Sequence, residues 1–342
     1  MNLPLTDNIM SGMIITKTPF RISFVGGGSD LEDYYSRESG AVLSTSIDKY
    51  MYIASHKFFD TEKIRIKYSQ TETVTNINEI RHPIVYEVLK RFKIHGALEI
   101  SSNADMPAGS GLGSSSAFTV GLLHNLHARQ GRYITKEQLA EEACIIEIQK
   151  LKEPIGKQDQ YASAFGGLNV FTFNKEGTVS VEPVHLRREV FSKFRKTLLM
   201  FYIGNVRKTS SILSEQKNNM TQNSKLQILG RMVELVSEMR NVLYSGKITK
   251  IGSVLHENWL LKKQLASKIS TPDIDDIYNL GLKNGASGGK LLGAGGGGFM
   301  LFFCPGEKQR KKLRSALHKL RELDFNFETE GSKIIYIGDE YA

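Results

Sequence analysis

The sequence predicts an α+β protein. Strand-like runs rich in β-branched and aromatic residues mix with helical stretches from end to end, and neither repeats nor low-complexity linkers interrupt them. The 342 residues are 40% apolar and 24% charged, as expected of a globular chain with one large domain or two ordinary ones. Residues 1–12 read as a polar, irregular leader. Met13 to Val25 is strand-like despite Pro19 and ends in Gly26-Gly27-Gly28-Ser29-Asp30. Ala41 to Ser55 reads as one or two strands around Asp48-Lys49, Ile64 to Tyr68 as a strand, Ile84 to Phe92 as a helix, and Leu98 to Ser102 as a strand. Ala117 to Arg129 is helical. Lys136 to Leu151 is a second helix, opened by Thr135 as N-cap with Gln138 three residues on. Strands follow at Leu168 to Phe173 and Phe194 to Ile203, then a long helical region from Ser211 to about Lys268 and a helix at Ile274 to Asn284. A glycine-rich segment ends in the strand Phe299 to Phe303, and a basic helix and the strand Lys333 to Ile337 close the chain. A domain boundary is expected near residues 190–205.

Composition excludes several classes. The two cysteines, Cys144 and Cys304, are far apart and without metal-ligand spacing, which argues against a disulfide framework or zinc ribbon and suits a reducing cytoplasm. No stretch approaches the roughly 18 apolar residues of a spanning helix, and no basic segment leads into a secretory core. No membrane association is expected. The net charge of +9 is thinly spread and accompanied by no nucleic-acid reader motif, so phosphorylated small molecules are the better partners. The densest basic run, Lys308 to Arg314, continues with Leu313, Leu317 and Leu320 at helical spacing, as in a solvated helix with one apolar stripe.

Three glycine-rich segments, each flanked by strand-like residues, call for a shared reason. They are Thr18 to Asp30, Pro107 to Ala117 (Pro-Ala-Gly-Ser-Gly-Leu-Gly-Ser-Ser-Ser-Ala) and Lys290 to Phe299. Glycine lets backbone close on a ligand, and a glycine turn feeding a helix N-terminus is a ready phosphate site. The second segment lacks the lysine of G-x-x-x-x-G-K-[ST] and the third glycine of G-x-G-x-x-G. No H-R-D or D-F-G signature occurs either. An ordinary P-loop enzyme, a dehydrogenase and a protein kinase all lose ground.

The combination P-x-R-x-x-x-x-G-G-G-S-D, P-x-x-x-G-L-G-S-S-S-A and a late G-A-G-G-G-G resembles the GHMP kinases, in family order and over essentially the whole chain. The resemblance implies a two-domain fold. Residues 13–195 would form an N-terminal βα domain that binds ATP and magnesium. Residues 196–342 would form a C-terminal ferredoxin-like α/β domain, with the active site in the cleft between the two. It implies that ATP is bound by Pro107, Gly109, Ser110, Gly111, Leu112, Gly113, Ser114, Ser115 and Ser116. Magnesium falls to Ser115 and Glu147, with Ser114 or Ser116 and Glu142 as the neighbouring alternatives. Asp159, in Gly156-Lys157-Gln158-Asp159-Gln160, matches the catalytic aspartate, whose work is to take or orient the proton of the attacking hydroxyl. Arg21 would pair with it and stabilise charge on the transferring group, with Lys17 sharing that role.

Within the family, Gly26 to Asp30, Gly40 to Tyr50 and Gly156 to Asn169 are most similar to the members that phosphorylate the anomeric hydroxyl of D-glycero-D-manno-heptose 7-phosphate. Their 1,7-bisphosphate product feeds GDP-heptose and surface polysaccharide synthesis. Galactokinases carry Gly-Glu-His-x-Asp where this chain has Gly26 to Asp30, which counts against galactose. The expected substrate contacts are Gly26, Gly27, Gly28, Ser29, Asp30, Lys49, Gly295 and Gly296. Arg207 and Lys208, in Gly204 to Ser210, would seat the sugar's own phosphate. A fucose-type sugar kinase and a non-catalytic sugar sensor are the rival readings. A homodimer is compatible with the sequence. His124 and His127 are expected to be ordinary helix residues.

Overall fold

The computed structural model describes residues 12–204 and 209–338. The strands are β1 (Ile14–Val25), β2 (Gly40–Lys57), β3 (Ile64–Lys67), β4 (Thr71–Val74), β5 (Leu98–Ala104), β6 (Leu168–Phe173), β7 (Val179–Pro183), β8 (Leu198–Gly204), β9 (Gly288–Leu291), β10 (Gly298–Phe303), β11 (Arg321–Glu322), β12 (Phe327–Glu328) and β13 (Lys333–Ile337). The α-helices are α1 (Glu32–Tyr35), α2 (Pro83–Phe92), α3 (Ser114–Arg129), α4 (Lys136–Cys144), α5 (Gln158–Phe165), α6 (Arg188–Lys196), α7 (Thr209–Asn219), α8 (Asn223–Ser245), α9 (Ile251–Lys263), α10 (Pro272–Lys283) and α11 (Glu307–Ala316).

The 18-residue β2 organises the first sheet. One edge pairs with β1 along its length, and the other is shared by β6, β12 and β5 in turn. The ladder slips where Pro19 faces Tyr50 and Phe20 faces Ile47, so Asp48 and Lys49 are two extra residues on β2. A bulge of this kind throws its side chains out of the ladder. The second sheet runs β11-β8-β10-β9, all antiparallel. This is the order of a split β-α-β-β-α-β unit, the ferredoxin-like arrangement expected of the C-terminal half. The boundary expected after residue 195 falls at the last residue of α6, just before β8. However, β12 and β13 return to β2 and β1, so the first sheet is built from both ends of the chain.

Local chemistry explains most elements. The Thr135–Gln138 capping box opens α4, with each side chain accepting the other's backbone N–H at 3.2 and 3.1 Å. Thr271 with Pro272 opens α10. In two places the sequence reading is corrected. Phe194 to Lys196 end helix α6 rather than begin a strand. Phe194 is the buried side of a helix whose other positions are mostly charged, and the strand begins only at Leu198. The helix expected from Lys136 to Leu151 is α-helical to Cys144 and then widens into a π-turn over Ile145–Lys150.

Backbone contacts lock the two layers together. Lys290 of β9, fully buried, donates to the carbonyls of Ser23 and Phe24 at 2.8 and 3.0 Å. The second and third glycine turns touch: a Cβ on Gly293 would lie 2.5 Å from the Gly111 Cα, and Gly293 holds φ +72°. Gly293→Ala therefore faces both a clash with immovable backbone and a left-handed conformation. Urea denaturation should show a loss of about 1–3 kcal/mol.

A half-buried carboxylate under α2 supplies a pH test. Glu142 is held by Arg91 and His127, each at 3.0 Å. Burial pushes its carboxyl up, but the hydrogen bonds and charges of His127 and Arg91 outweigh this and hold it at about 2. Its folded value lies below its unfolded one, so its stabilisation is complete above pH 4.5 and drains away as pH falls toward 2. Glu142→Gln should be less stable than the parent by about 1–3 kcal/mol at pH 6. That gap should close as urea midpoints are followed down through this acid range.

Candidate active site

Arg21 is the hub of the cleft. It sits on β1 and is 3% exposed. Its Nε and Nη2 donate to the two carboxylate oxygens of Asp159 at 2.7 and 2.6 Å, a bidentate fork. Its Nη1 donates to the Gly111 carbonyl at 2.6 Å, and its backbone N–H donates to the Leu112 carbonyl at 3.0 Å. One residue thus ties the first glycine segment, the second and the first turn of α5. Asp159 keeps a face to the cleft, its side chain 23% exposed.

The second glycine segment ends as an uncapped helix. Gly113, at φ 78°, precedes α3 and offers no capping side chain, so the first-turn amides of α3 are open to an anion. Asp159 lies directly against Gly113, where a Cβ would be 3.3 Å from its Oδ2. From Gly109, Ser114 and Ser115 a cavity of about 640 Å³ extends to Met51, Tyr68, His82 and Phe118. His82 stacks on Phe118 with ring centroids 4.9 Å apart, and burial lowers its pKa. This aromatic shelf has room for a nucleotide base.

Glu147 closes the other side. It is 1% exposed and accepts from Ser115 Oγ at 2.8 Å and Gln160 Nε2 at 2.7 Å. Burial pushes its carboxyl up to about 7 against the hydrogen bonds of Ser115, Ser116 and Gln160. A buried carboxylate facing a hydroxyl, with no cation paired to it among the described residues, is a hard oxygen donor set that suits magnesium. Glu142 is excluded from this role by its pairing with Arg91 and His127.

A narrow pocket of about 70 Å³ lies beside Asp159 and is lined by Arg21, Gly27, Gly28, Asp30, Gln158, Gln216, Lys262, Gly293 and Ala294 among others. Asp30 is buried at its floor and accepts from Gly28 N at 2.9 Å and from Gln158 N and Nε2 at 3.3 Å. Burial raises its pKa against those bonds, with Asp159 adding to the rise. Sequence reasoning missed Gln158, Gln216 and Lys262. Each is a single polar residue on a helix, and only tertiary packing shows that it faces inward.

Several expected contacts lie elsewhere. Lys17 is four strand residues from Arg21, roughly 13 Å, and its ammonium sits 3.7 Å over the Tyr50 ring. Lys49, thrown out by the bulge, lines a separate cavity with Asp105, Tyr202 and Arg321 and pairs with Asp48 at 3.2 Å. Gly295 and Gly296 turn away from the cleft to pack on Ile269, leaving Gly293 and Ala294 to line it. Gly26 and Ser29 brace the turn instead: Gly26 donates to Asn258 Oδ1, and the Ser29 hydroxyl donates to the Gly26 carbonyl at 2.8 Å. Ser110, Leu112 and Ser116 are buried and anchor the loop from below, and Pro107 lines the Lys49 cavity. Arg207 and Lys208 lie outside the described residues. His124 donates to or accepts from Ser332 Oγ at 3.0 Å, so the histidine pair is bound up in structural contacts.

Comparisons with known proteins agree with this geometry. Residues 80–167 match the family description "GHMP kinases N terminal domain" and residues 235–322 match "GHMP kinases C terminal". A D-glycero-alpha-D-manno-heptose 7-phosphate kinase of Campylobacter jejuni is 28% identical over 333 residues, 94% of this chain and 98% of that one. The bifunctional fucokinase/GDP-fucose pyrophosphorylase of Arabidopsis thaliana is 26% identical over 90% of this chain, which spans 31% of that longer protein. A crystal structure of a D-glycero-D-manno-heptose 1-phosphate kinase from Bacteroides thetaiotaomicron superposes with a TM-score of 0.78 at 21% identity, covering 95% of this chain and all of the other. The two matched regions take in just over half of the 342 residues, and the three glycine segments converge as that family's motifs require. The chain belongs to the GHMP kinases.

Proposed function

We propose that the protein transfers the γ-phosphoryl group of ATP to the anomeric hydroxyl of D-glycero-D-manno-heptose 7-phosphate, giving the 1,7-bisphosphate for GDP-heptose and surface polysaccharide synthesis. The observation that carries the reading is the Arg21–Asp159 fork set against the open N-terminus of α3. The near full-length likeness to the Campylobacter enzyme supports the choice of acceptor. The likeness to the plant fucokinase keeps a fucose-type acceptor as the second reading. A sugar sensor is disfavoured because Asp159, Arg21, Ser115 and Glu147 are all in place. No helix among the described residues is long and apolar enough to cross a membrane.

The acceptor hydroxyl lies in the narrow pocket, with Asp30 and Gln158 as partners for its ring hydroxyls. Its oxygen forms the new P–O bond while the bond from the γ-phosphorus to the β,γ-bridging oxygen breaks. That electron pair stays on ADP, and the hydroxyl proton passes to Asp159. Arg21 fixes the carboxylate in plane and leaves its outward lone pairs toward the cleft. The amides of Gly111 to Ser115 receive the phosphates. Magnesium, held by Ser115 Oγ and Glu147, would neutralise phosphate charge.

An ADP-release assay over sugars and sugar phosphates tests the acceptor. Turnover confined to heptose 7-phosphate supports the reading, whereas equal turnover of unphosphorylated fucose replaces it. Asp159→Asn should lower kcat by about 10²–10⁴-fold with the KM for ATP little changed, and full activity would remove Asp159 from the mechanism. Glu147→Gln should raise the magnesium concentration for half-maximal rate about tenfold or more, read from magnesium titrations at saturating ATP.

A further inference from the structure

The phosphate loop has no lysine of its own, but α9 delivers one to it. We propose that Lys262 is a catalytic residue of the phosphoryl transfer, its ammonium donating to a negatively charged oxygen of the phosphoryl group in flight. The assignment rests on the kinase reading above.

Lys262 is 5% exposed and lines the narrow pocket with Arg21, Asp30 and Asp159. Its Nζ donates to the Gly293 carbonyl, and Gly293 backs directly onto Gly111 of the phosphate loop. An ammonium carries three donors. Among the described residues, Lys262 has this one hydrogen-bond acceptor and no carboxylate within ion-pair distance. Both Asp159 oxygens are held by Arg21, and those of Asp30 are held by Gly28 and Gln158. The neighbouring lysines behave differently. Lys263 pairs with Asp275 at 2.9 Å, and Lys290 donates to two buried carbonyls. Burying a cation without a counter-charge is costly. At Lys262 the missing partner is an anion in the cleft.

During transfer the three equatorial oxygens of the phosphoryl group hold negative charge while the bond to ADP breaks and the bond to the acceptor forms. Lys262 gives up no proton in this step; it is a second positive charge in the pocket, brought from α9 where Arg21 comes from β1. Burial, followed by the charge of Arg21, lowers its pKa to about 8, with Asp30 and Asp159 opposing. Arg21 from β1, Asp30 from the turn after it, Asp159 from α5 and Lys290 from β9 are the charged groups that face it.

The test uses the full-length protein with Lys262→Met and Lys262→Arg. Binding of ADP plus aluminium fluoride, a planar stand-in for the group in flight, is compared with binding of ADP alone by calorimetry. K262M should lose at least tenfold in affinity for the fluoride complex and under threefold for ADP. In turnover it should lose roughly 10²–10³-fold in kcat with both KM values within about threefold. K262R should keep more of the rate and move the alkaline limb of kcat upward from near pH 8. Unchanged fluoride-complex binding in K262M, or a loss confined to the KM of a phosphorylated acceptor, overturns the proposal. If K262M unfolds early, an alkaline limb that stays in place in K262R overturns it as well. Absence of turnover by the parent protein with every acceptor would sink the kinase reading instead, and the fluoride-complex comparison still decides Lys262.

Discussion

Everything in the cleft depends on where the Arg21 guanidinium is held. Its three nitrogens and its backbone N–H are engaged by Asp159, Gly111 and Leu112. A guanidinium 3% exposed cannot be left half-partnered, and removing one side of such a pair typically costs about 3–5 kcal/mol. The fork is therefore both a structural clamp and the device that aims the Asp159 carboxylate into the cleft. Lysine would not replace it, because a point charge cannot grip a carboxylate and a loop carbonyl in one plane. The arginine's backbone is held as well. On one edge Arg21 pairs with Ser46 of β2, and on the other its N–H is taken by the Leu112 carbonyl of the second glycine segment.

The glycine segments were legible in the sequence because their demands are local. A chain that must pass bare backbone against another bare backbone, as Gly111 does against Gly293, needs glycine whatever surrounds it. Arg21, Asp159, Ser115 and Glu147 followed from the family pattern, and the structure brings Arg21 to Asp159 and Ser115 to Glu147. Lys17 and Lys49 were named for their nearness to the motifs in sequence, which does not fix where a side chain ends up. Lys17 is turned onto the Tyr50 ring, and Lys49 is one of two extra residues in a bulge that no local signal announces. Glu147 was preferred to Glu142 from its place ahead of Asp159 in the family pattern, and helix phase alone would not have favoured it. A straight helix puts each on a different face, and the π-turn at Ile145–Lys150 changes the phase just where Glu147 must meet Ser115.

The cleft's charge is arranged as separate, non-cancelling tasks. Arg21 neutralises Asp159, burial discourages charge on Asp30, and Glu147 has no cation paired to it among the described residues. Lys262 is left as the one cation of the narrow pocket without a counter-charge among the described residues. In a low-dielectric pocket each of these imbalances is costly on its own, and on the proposed reading each is relieved by a different part of a magnesium nucleotide and its acceptor. Stability is given up locally so that binding energy is concentrated on the reacting group.

This division of labour explains why the site needs two layers. A P-loop enzyme puts lysine, amides and hydroxyl on one short segment. Here the amides and hydroxyl come from the segment before α3, the arginine from β1, and the unpaired lysine from α9 beneath the second sheet. The contact that binds these contributions is Gly111 against Gly293, since it sets how far the Lys262-bearing layer stands from the phosphate loop. A side chain on either glycine would run into backbone of the other turn and press the layers apart. The pull of a point charge inside a water-poor pocket weakens with distance. The late glycine run thus lines the narrow pocket and also spaces the layers that bring Lys262 toward the phosphate loop.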